Sequence, residues 1–128
     1  DDHERFSTLI AREILPDYYY TQKQIEIICE LIMSTQMPPN PKNKLEEIMC
    51  DADLDYLGRS DMIPVSTMLY RELKEFDKVK SWNEWNRLQI KFISNHQYFT
   101  QTAMSLREVN KQKQIERIRK LLESGAEE

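Results

Sequence analysis

Glycine is nearly missing from this chain: its 128 residues contain two, Gly58 and Gly125. That scarcity excludes a turn-rich β-sandwich, a phosphate-cradling glycine loop and a nucleophile elbow. Cysteine is equally sparse, with Cys29 and Cys50 only, too few for a zinc site built on Cys-x-x-Cys pairs. Both fall inside apolar helical patterns. They read as buried free thiols in a reducing compartment, the cytoplasm, rather than as a disulfide. Long hydrophobic runs are absent too. Stretches such as Ile25-Glu26-Ile27-Ile28-Cys29 are broken by charge far short of the roughly 20 residues that a membrane span needs, and the mean hydropathy is -0.70. Nor is there a basic excess: 18 Lys and Arg face 22 Asp and Glu, for a net charge of -4. That balance leaves no electrostatic footprint for nucleic acid. No secretory h-region opens the chain, and its start at Asp1-Asp2-His3-Glu4 without methionine suggests a processed or partial product.

What is present is globular in character. Hydrophobic residues make up 40% and charged residues 31%, enough for one domain over 1–128 with a core of its own. The dominant period is helical. A first helix is expected from about His3 to Leu15, with Phe6, Leu9, Ile10 and Ile14 on one stripe, stopped by Pro16. Thr21 suits the N-cap of a second, which carries Ile25, Ile28, Cys29, Ile32 and Met33 to about Ser34. Met37-Pro38-Pro39-Asn40-Pro41 reads as a rigid connector. Asn43 then caps a third helix through Leu45, Ile48, Met49, Ala52 and Tyr56, ended by Gly58.

Pro64 fits the first turn of a fourth helix, Val65 to about Phe76. Ser81 with Glu84 forms a capping-box pattern for a fifth, Trp82 to about Asn95. Thr100 opens the last, which reaches about Ser124 before Gly125. From about Asn110 this helix turns polar on most faces, so the core is expected over about 1–109, with 110–128 as a polar helical tail, a connector or pairing surface. Apolar heptads are never sustained. The expected fold is all-α, a compact orthogonal bundle of about six helices.

The densest polar constellation is Asp51-Ala52-Asp53-Leu54-Asp55, just before Tyr56-Leu57-Gly58-Arg59. On a helix at about 100° per residue, Leu45, Ile48, Met49, Ala52 and Tyr56 form one stripe. Asp53 and Asp55 lie at its opposite edges, about 80° from its centre. Asp51 points further away, while Cys50, Leu54 and Leu57 make a second apolar face. Carboxylates at a core boundary need a cation or a set of donors. A purely structural arrangement would pair Asp51 and Asp55 with surface Lys or Arg and let Asp53 cap a neighbouring helix. A calcium loop is excluded, because its Gly and distal Glu are missing at the required offsets. His96 falls at a helix end, where a cation-capable ring meets the orphan carbonyls. Trp82, Trp85, Leu88 and Phe92 form a core stripe, and Tyr18-Tyr19-Tyr20 a packing cluster with exposed hydroxyls.

The run Leu45-Glu46-Glu47-Ile48-Met49-Cys50-Asp51-Ala52-Asp53-Leu54-Asp55-Tyr56-Leu57-Gly58-Arg59 resembles the last metal-ligand helix of the HD superfamily of metal-dependent phosphohydrolases. His3-Glu4, Ala11-Arg12-Glu13-Ile14-Leu15 and Ile28-Cys29-Glu30-Leu31-Ile32-Met33-Ser34-Thr35 are similar to helices that follow the family's His-Asp doublet. Trp85, Phe92, His96, Tyr98-Phe99-Thr100 and Ala103 resemble the tail of a bacterial subgroup. The likeness extends to about Lys113.

The resemblance implies a divalent metal ion (manganese, iron, magnesium or similar) held by an early His, the doublet and a final Asp. Asp53 matches that final ligand, with Asp51 as the other register. It implies a catalytic place for His3 near the substrate phosphate or a second metal, and a contact between Arg59 and an anionic group. In the family the metal polarises a phosphoryl oxygen and generates the attacking hydroxide. The expected substrate is a small phosphorylated molecule, a nucleotide. No His-Asp dipeptide occurs in this chain, so the first two motifs would lie before Asp1 and the chain by itself is expected to be inactive. Two other functions stay open: a non-catalytic nucleotide-sensing module, as in cyclic-pyrimidine antiphage effectors, and a helical protein-interaction domain. Association of several copies is open as well.

Overall fold

The apolar periodicity resolves into helices α1 (His3–Ile14), α2 (Gln22–Ser34), α3 (Lys44–Asp53), α4 (Met62–Glu75), α5 (Trp82–Asn95) and α6 (Gln101–Glu123). Two 3-10 turns, Leu15–Tyr18 and Asp55–Gly58, interrupt the order. The structure, a computed structural model, describes residues 2–124, so Gly125 lies outside it; no strand occurs among the described residues, and the fold is all-α. None of these helices is long and apolar enough to cross a membrane.

Four N-termini are set by their own side chains. Thr21 Oγ1 accepts from the Gln24 N–H at 3.2 Å, and Gln24 Oε1 accepts from the Thr21 N–H at 2.8 Å, closing a capping box on α2. Asn43 Oδ1 accepts from the Glu46 N–H at 2.9 Å at the head of α3. Ser81 Oγ accepts from the Glu84 N–H at 3.1 Å, although the Glu84 carboxylate turns to the Lys80 N–H at 2.8 Å instead of completing the box. Thr100 Oγ1 accepts from the Ala103 N–H at 3.1 Å and starts α6. The connector before α3 is irregular, with a cis Met37–Pro38 bond.

The chain divides into two compact units, one ending at Asp53 and one beginning at Leu54. In the first, α1 packs on α2 and α2 on α3. Its core is Ala11, Ile25 and Cys29, with Leu15, Ile28 and Ile32 against them. The Cys29 thiol reaches the Thr8 carbonyl at 3.8 Å, and the Cys50 thiol reaches the Ser34 carbonyl at 3.2 Å. Arg12 clamps Glu26 with two bonds of 2.6 and 3.1 Å, tying α1 to α2.

The faces turned inward differ from the apolar stripes in the sequence. On α1 the buried residues are Glu4, Thr8 and Ala11, and Phe6, Leu9, Ile10 and Ile14 are exposed. On α3 the buried residues are Glu46, Cys50 and Asp51, while Leu45, Ile48, Met49 and Ala52 face outward. On α3 it is the second apolar face, at Cys50, that turns inward.

The second unit centres on Leu54, Leu57, Met62, Ile93, Ile115 and Ile118. A second cluster joins Tyr70, Val79 and Trp85, with the Tyr70 ring edge-on to Trp82 at 4.9 Å. Leu88 and Phe92, expected in the core stripe of α5, are exposed, and Asn86, Gln89 and Ile93 are buried in their place.

The segment read as a polar tail is also packed: Lys111, Gln114, Ile115 and Ile118 are all buried. Its polar members are buried because each finds a partner. Lys111 Nζ donates to the His96 carbonyl at 2.8 Å and meets Glu108 Oε2 at 3.0 Å, and Gln114 Nε2 donates to the Arg59 carbonyl at 2.8 Å.

Two boundaries shift for tertiary reasons. α3 stops at Asp53, before Tyr56, because Leu54 leaves the helical region and the Tyr98 hydroxyl donates to the Leu54 carbonyl at 3.0 Å. α4 begins at Met62, which still keeps Pro64 in its first turn. Gly58 has a role other than ending α3. A Cβ there would stand 2.4 Å from the Arg107 carbonyl oxygen, so α6 lies against bare backbone. Gly58→Ala is therefore expected to destabilise the second unit by about 2–3 kcal/mol, read as a lower urea midpoint with an unchanged slope.

Candidate functional site

α1 starts at His3 and α3 ends at Asp53, and the fold of the first unit brings these two termini within electrostatic reach. His3 is four-fifths exposed, and its Nε2 lies 3.0 Å from Glu4 Oε1. Glu4 is the opposite case: its side chain is 7% exposed, and its Oε2 is buried with no hydrogen-bond partner. One carboxylate oxygen is thus engaged by the imidazole, and the other has lost water without replacement.

Asp53 is exposed and takes part in no hydrogen bond or ion pair among the described residues. Its carboxyl is nevertheless raised above the usual aspartate value. Partial desolvation is the main cause; the His3 charge opposes the shift, and the Glu4 charge adds to it. Its place at the C-terminus of α3 acts the same way, because the helix dipole disfavours an anion there. The helix-capping role open to Asp53 is not what the structure shows: the capping side chains at α2, α3, α5 and α6 are Thr21, Asn43, Ser81 and Thr100.

Asp51, the other register for the final ligand, is buried on the inner face of α3. The Cys50 thiol beside it is raised first by desolvation, against a lowering bond from Ser34, and further by the charges of Asp51, Asp53 and Glu46. The helical wheel had turned Asp51 away from the stripe, and that direction proves to be the interior.

Arg59 belongs to the second unit, and its guanidinium is already engaged. It holds Asp61 through bonds of 3.0 and 2.9 Å, and its Nη1 lies 4.0 Å from Asp55 Oδ2. A phosphate approaching Arg59 competes with that carboxylate fork. Asp55 is also bound by Arg107 Nε at 2.7 Å, the surface pairing that the sequence left open for it.

Two residues in this unit do not read as site residues in the sequence. Lys111 sits in an Asn-Lys-Gln-Lys-Gln run that reads as solvated, yet its Nζ is buried near His96 Nδ1 (3.3 Å) and over the Tyr98 ring (5.2 Å). Tyr98 is raised above its ordinary value chiefly by desolvation, with Asp55 and Glu108 adding negative charge. A groove of about 390 Å³ beside them is lined by Gln97, Tyr98, Gln101, Met104, Ser105 and Glu108, and none of the expected site residues borders it.

A divalent ion needs at least three protein ligands for a built site. Among the described residues no group of three or more His, Cys, Asp or Glu side chains is placed to hold one. Asp53 fits one carboxylate ligand; the chain's described residues do not complete the set. Comparison with family models, with curated proteins and with solved structures returns no match.

The raised Asp53 carboxyl has a consequence for stability. The folded state binds that proton more tightly than the unfolded chain does, so ionised Asp53 opposes folding above its folded pKa, and the opposition fades as pH falls through the ordinary aspartate range. Asp53→Asn is expected to raise the Tm at neutral pH, with the gain shrinking on acidification. Thermal melts of both proteins across the acidic range check the sign.

Proposed function

We propose that this chain is part of a metal-dependent phosphohydrolase of the HD type, and that Asp53 is its final metal ligand. The observation that supports this most is the state of that side chain. Asp53 makes no hydrogen bond or ion pair among the described residues, sits at the unfavourable end of a helix, and is held above its normal pKa by desolvation and the nearby Glu4 carboxylate, against the opposing charge of His3. Groups kept in such tension are common where a fold gives up stability for chemistry. A divalent ion would relieve it by supplying the missing positive charge. The remaining ligands in this reading come from outside the described residues, since His3, Glu4 and Asp53 do not form a site by themselves. In this reading His3, exposed and held by Glu4, would contact the substrate phosphate. The substrate class in this reading is a small phosphate ester, a nucleotide.

The non-catalytic alternative, a nucleotide-sensing module, draws on the same lack of a three-ligand group. Metal analysis separates Asp53 from Asp51. In the protein with its full ligand set, Asp53→Asn is expected to abolish metal occupancy, and Asp51→Asn, folded by circular dichroism, to retain most of it. Equal loss or equal retention overturns the assignment. A panel of phosphate esters then distinguishes turnover from binding alone.

A further inference from the structure

Two helices of the second unit turn matched stripes outward. α4 buries Met62, Ser66 and Tyr70 and exposes Val65, Met68, Glu72 and Glu75 on its opposite side. α6 buries Lys111, Gln114, Ile115 and Ile118 and exposes Leu106, Val109, Lys113, Arg117 and Lys120. At about 100° per residue each exposed set covers an arc of about 80°, the width of a two-helix seam. Both stripes run in the same order, apolar first and charged in the later turns. Met68, Leu106 and Val109 are 69%, 63% and 68% exposed. The charges of the two stripes are opposite in sign. Among the described residues, Glu72, Glu75, Lys113, Arg117 and Lys120 enter no ion pair. Arg117 donates to the neutral Gln114 amide at 3.3 Å, and Glu116, beside the α6 stripe, is bound to Arg119.

We propose that these stripes bind each other between copies of the chain, α4 of one copy packing parallel on α6 of a second. Setting Val65 level with Leu106 and Met68 level with Val109 brings Glu72 level with Lys113, because the interval from the first apolar residue is the same in both helices. Glu75 then lies within about one residue's rise of Arg117, on the same side of the seam. Arg71 falls on the flank, beside Asn110. An antiparallel pair would set the carboxylates against Leu106 and Val109 and the cations against Val65 and Met68, covering charges without partners. Sign and order therefore select one partner stripe and one direction. The two stripes differ, so the contact is heterologous, each copy offering one of each. A single helix pair is a small interface, and its dissociation constant is expected at about 10–100 µM. This contact is independent of the hydrolase reading.

Sedimentation velocity of the whole 128-residue chain tests it. A mean mass that rises with concentration up to about 200 µM is expected, with affinity falling about tenfold between about 50 and 500 mM salt. Glu72→Lys combined with Glu75→Lys should weaken association about tenfold, and so should Lys113→Glu combined with Arg117→Glu. All four side chains are exposed, so the helical circular dichroism should be unchanged. Mixing the two double variants in equal amounts should restore affinity to within about threefold of the unaltered chain, because each supplies the stripe that matches the other's reversed charges. A chain that stays monomeric at about 200 µM, association that salt or either double variant leaves unchanged, or a mixture no tighter than the variants alone overturns the proposal.

Discussion

The second unit depends on how closely α6 approaches the turn at 55–58. Gly58 allows the Arg107 backbone to lie where any side chain would block it. Once that approach is made, other contacts follow from it. Arg107 reaches Asp55, Gln114 reaches the Arg59 carbonyl, and Tyr98 collects the carbonyl that α3 leaves behind at Leu54. These polar contacts sit over an apolar cluster of Leu54, Leu57, Met62, Ile93, Ile115 and Ile118. Buried polar groups are costly unless satisfied, and satisfying them together fixes one register of α6 against the turn. A one-residue slip along α6 would take Lys111 from the His96 carbonyl and Gln114 from that of Arg59 at once.

The first unit is built on a different compromise. α1 and α2 share a small apolar core, tightened by the Arg12–Glu26 clamp, with apolar residues left on the outside of α1 and α3. Its tension is concentrated where α1 begins and α3 ends. Glu4 has an oxygen without a donor, and Asp53 is an anion at a helix C-terminus. Positive charge placed there would offset what these two carboxylates leave unbalanced.

Legibility in the sequence followed the range of the deciding interaction. Thr21, Asn43, Ser81 and Thr100 cap helices within three residues of themselves, and each could be read from its neighbours. The end of α3 could not, because Tyr98, 44 positions away, helps to decide it. Lys111 resembled its solvated neighbours in every local respect, and only its partners make it an interior residue. For the candidate site, the helical wheel put Asp53 at the edge of an apolar stripe read as a core boundary, and the structure has that stripe and Asp53 exposed. The wheel could not say which of the two faces of α3 turns inward, and so missed the burial of Asp51. Arg59 looked available because nothing in the sequence separates a free guanidinium from one folded back on Asp61 two residues later.

Both cysteines lie in the first unit, each with its thiol pressed against a backbone carbonyl, and both tryptophans lie in the second. The two halves of the chain therefore carry separate natural reporters. Alkylation by a thiol reagent proceeds only when the Thr8 and Ser34 neighbourhoods open, so its rate clocks the breathing of residues up to Asp53. Indole fluorescence follows the Tyr70–Trp85 cluster alone, and any difference in timing between the signals measures how far the units unfold as one.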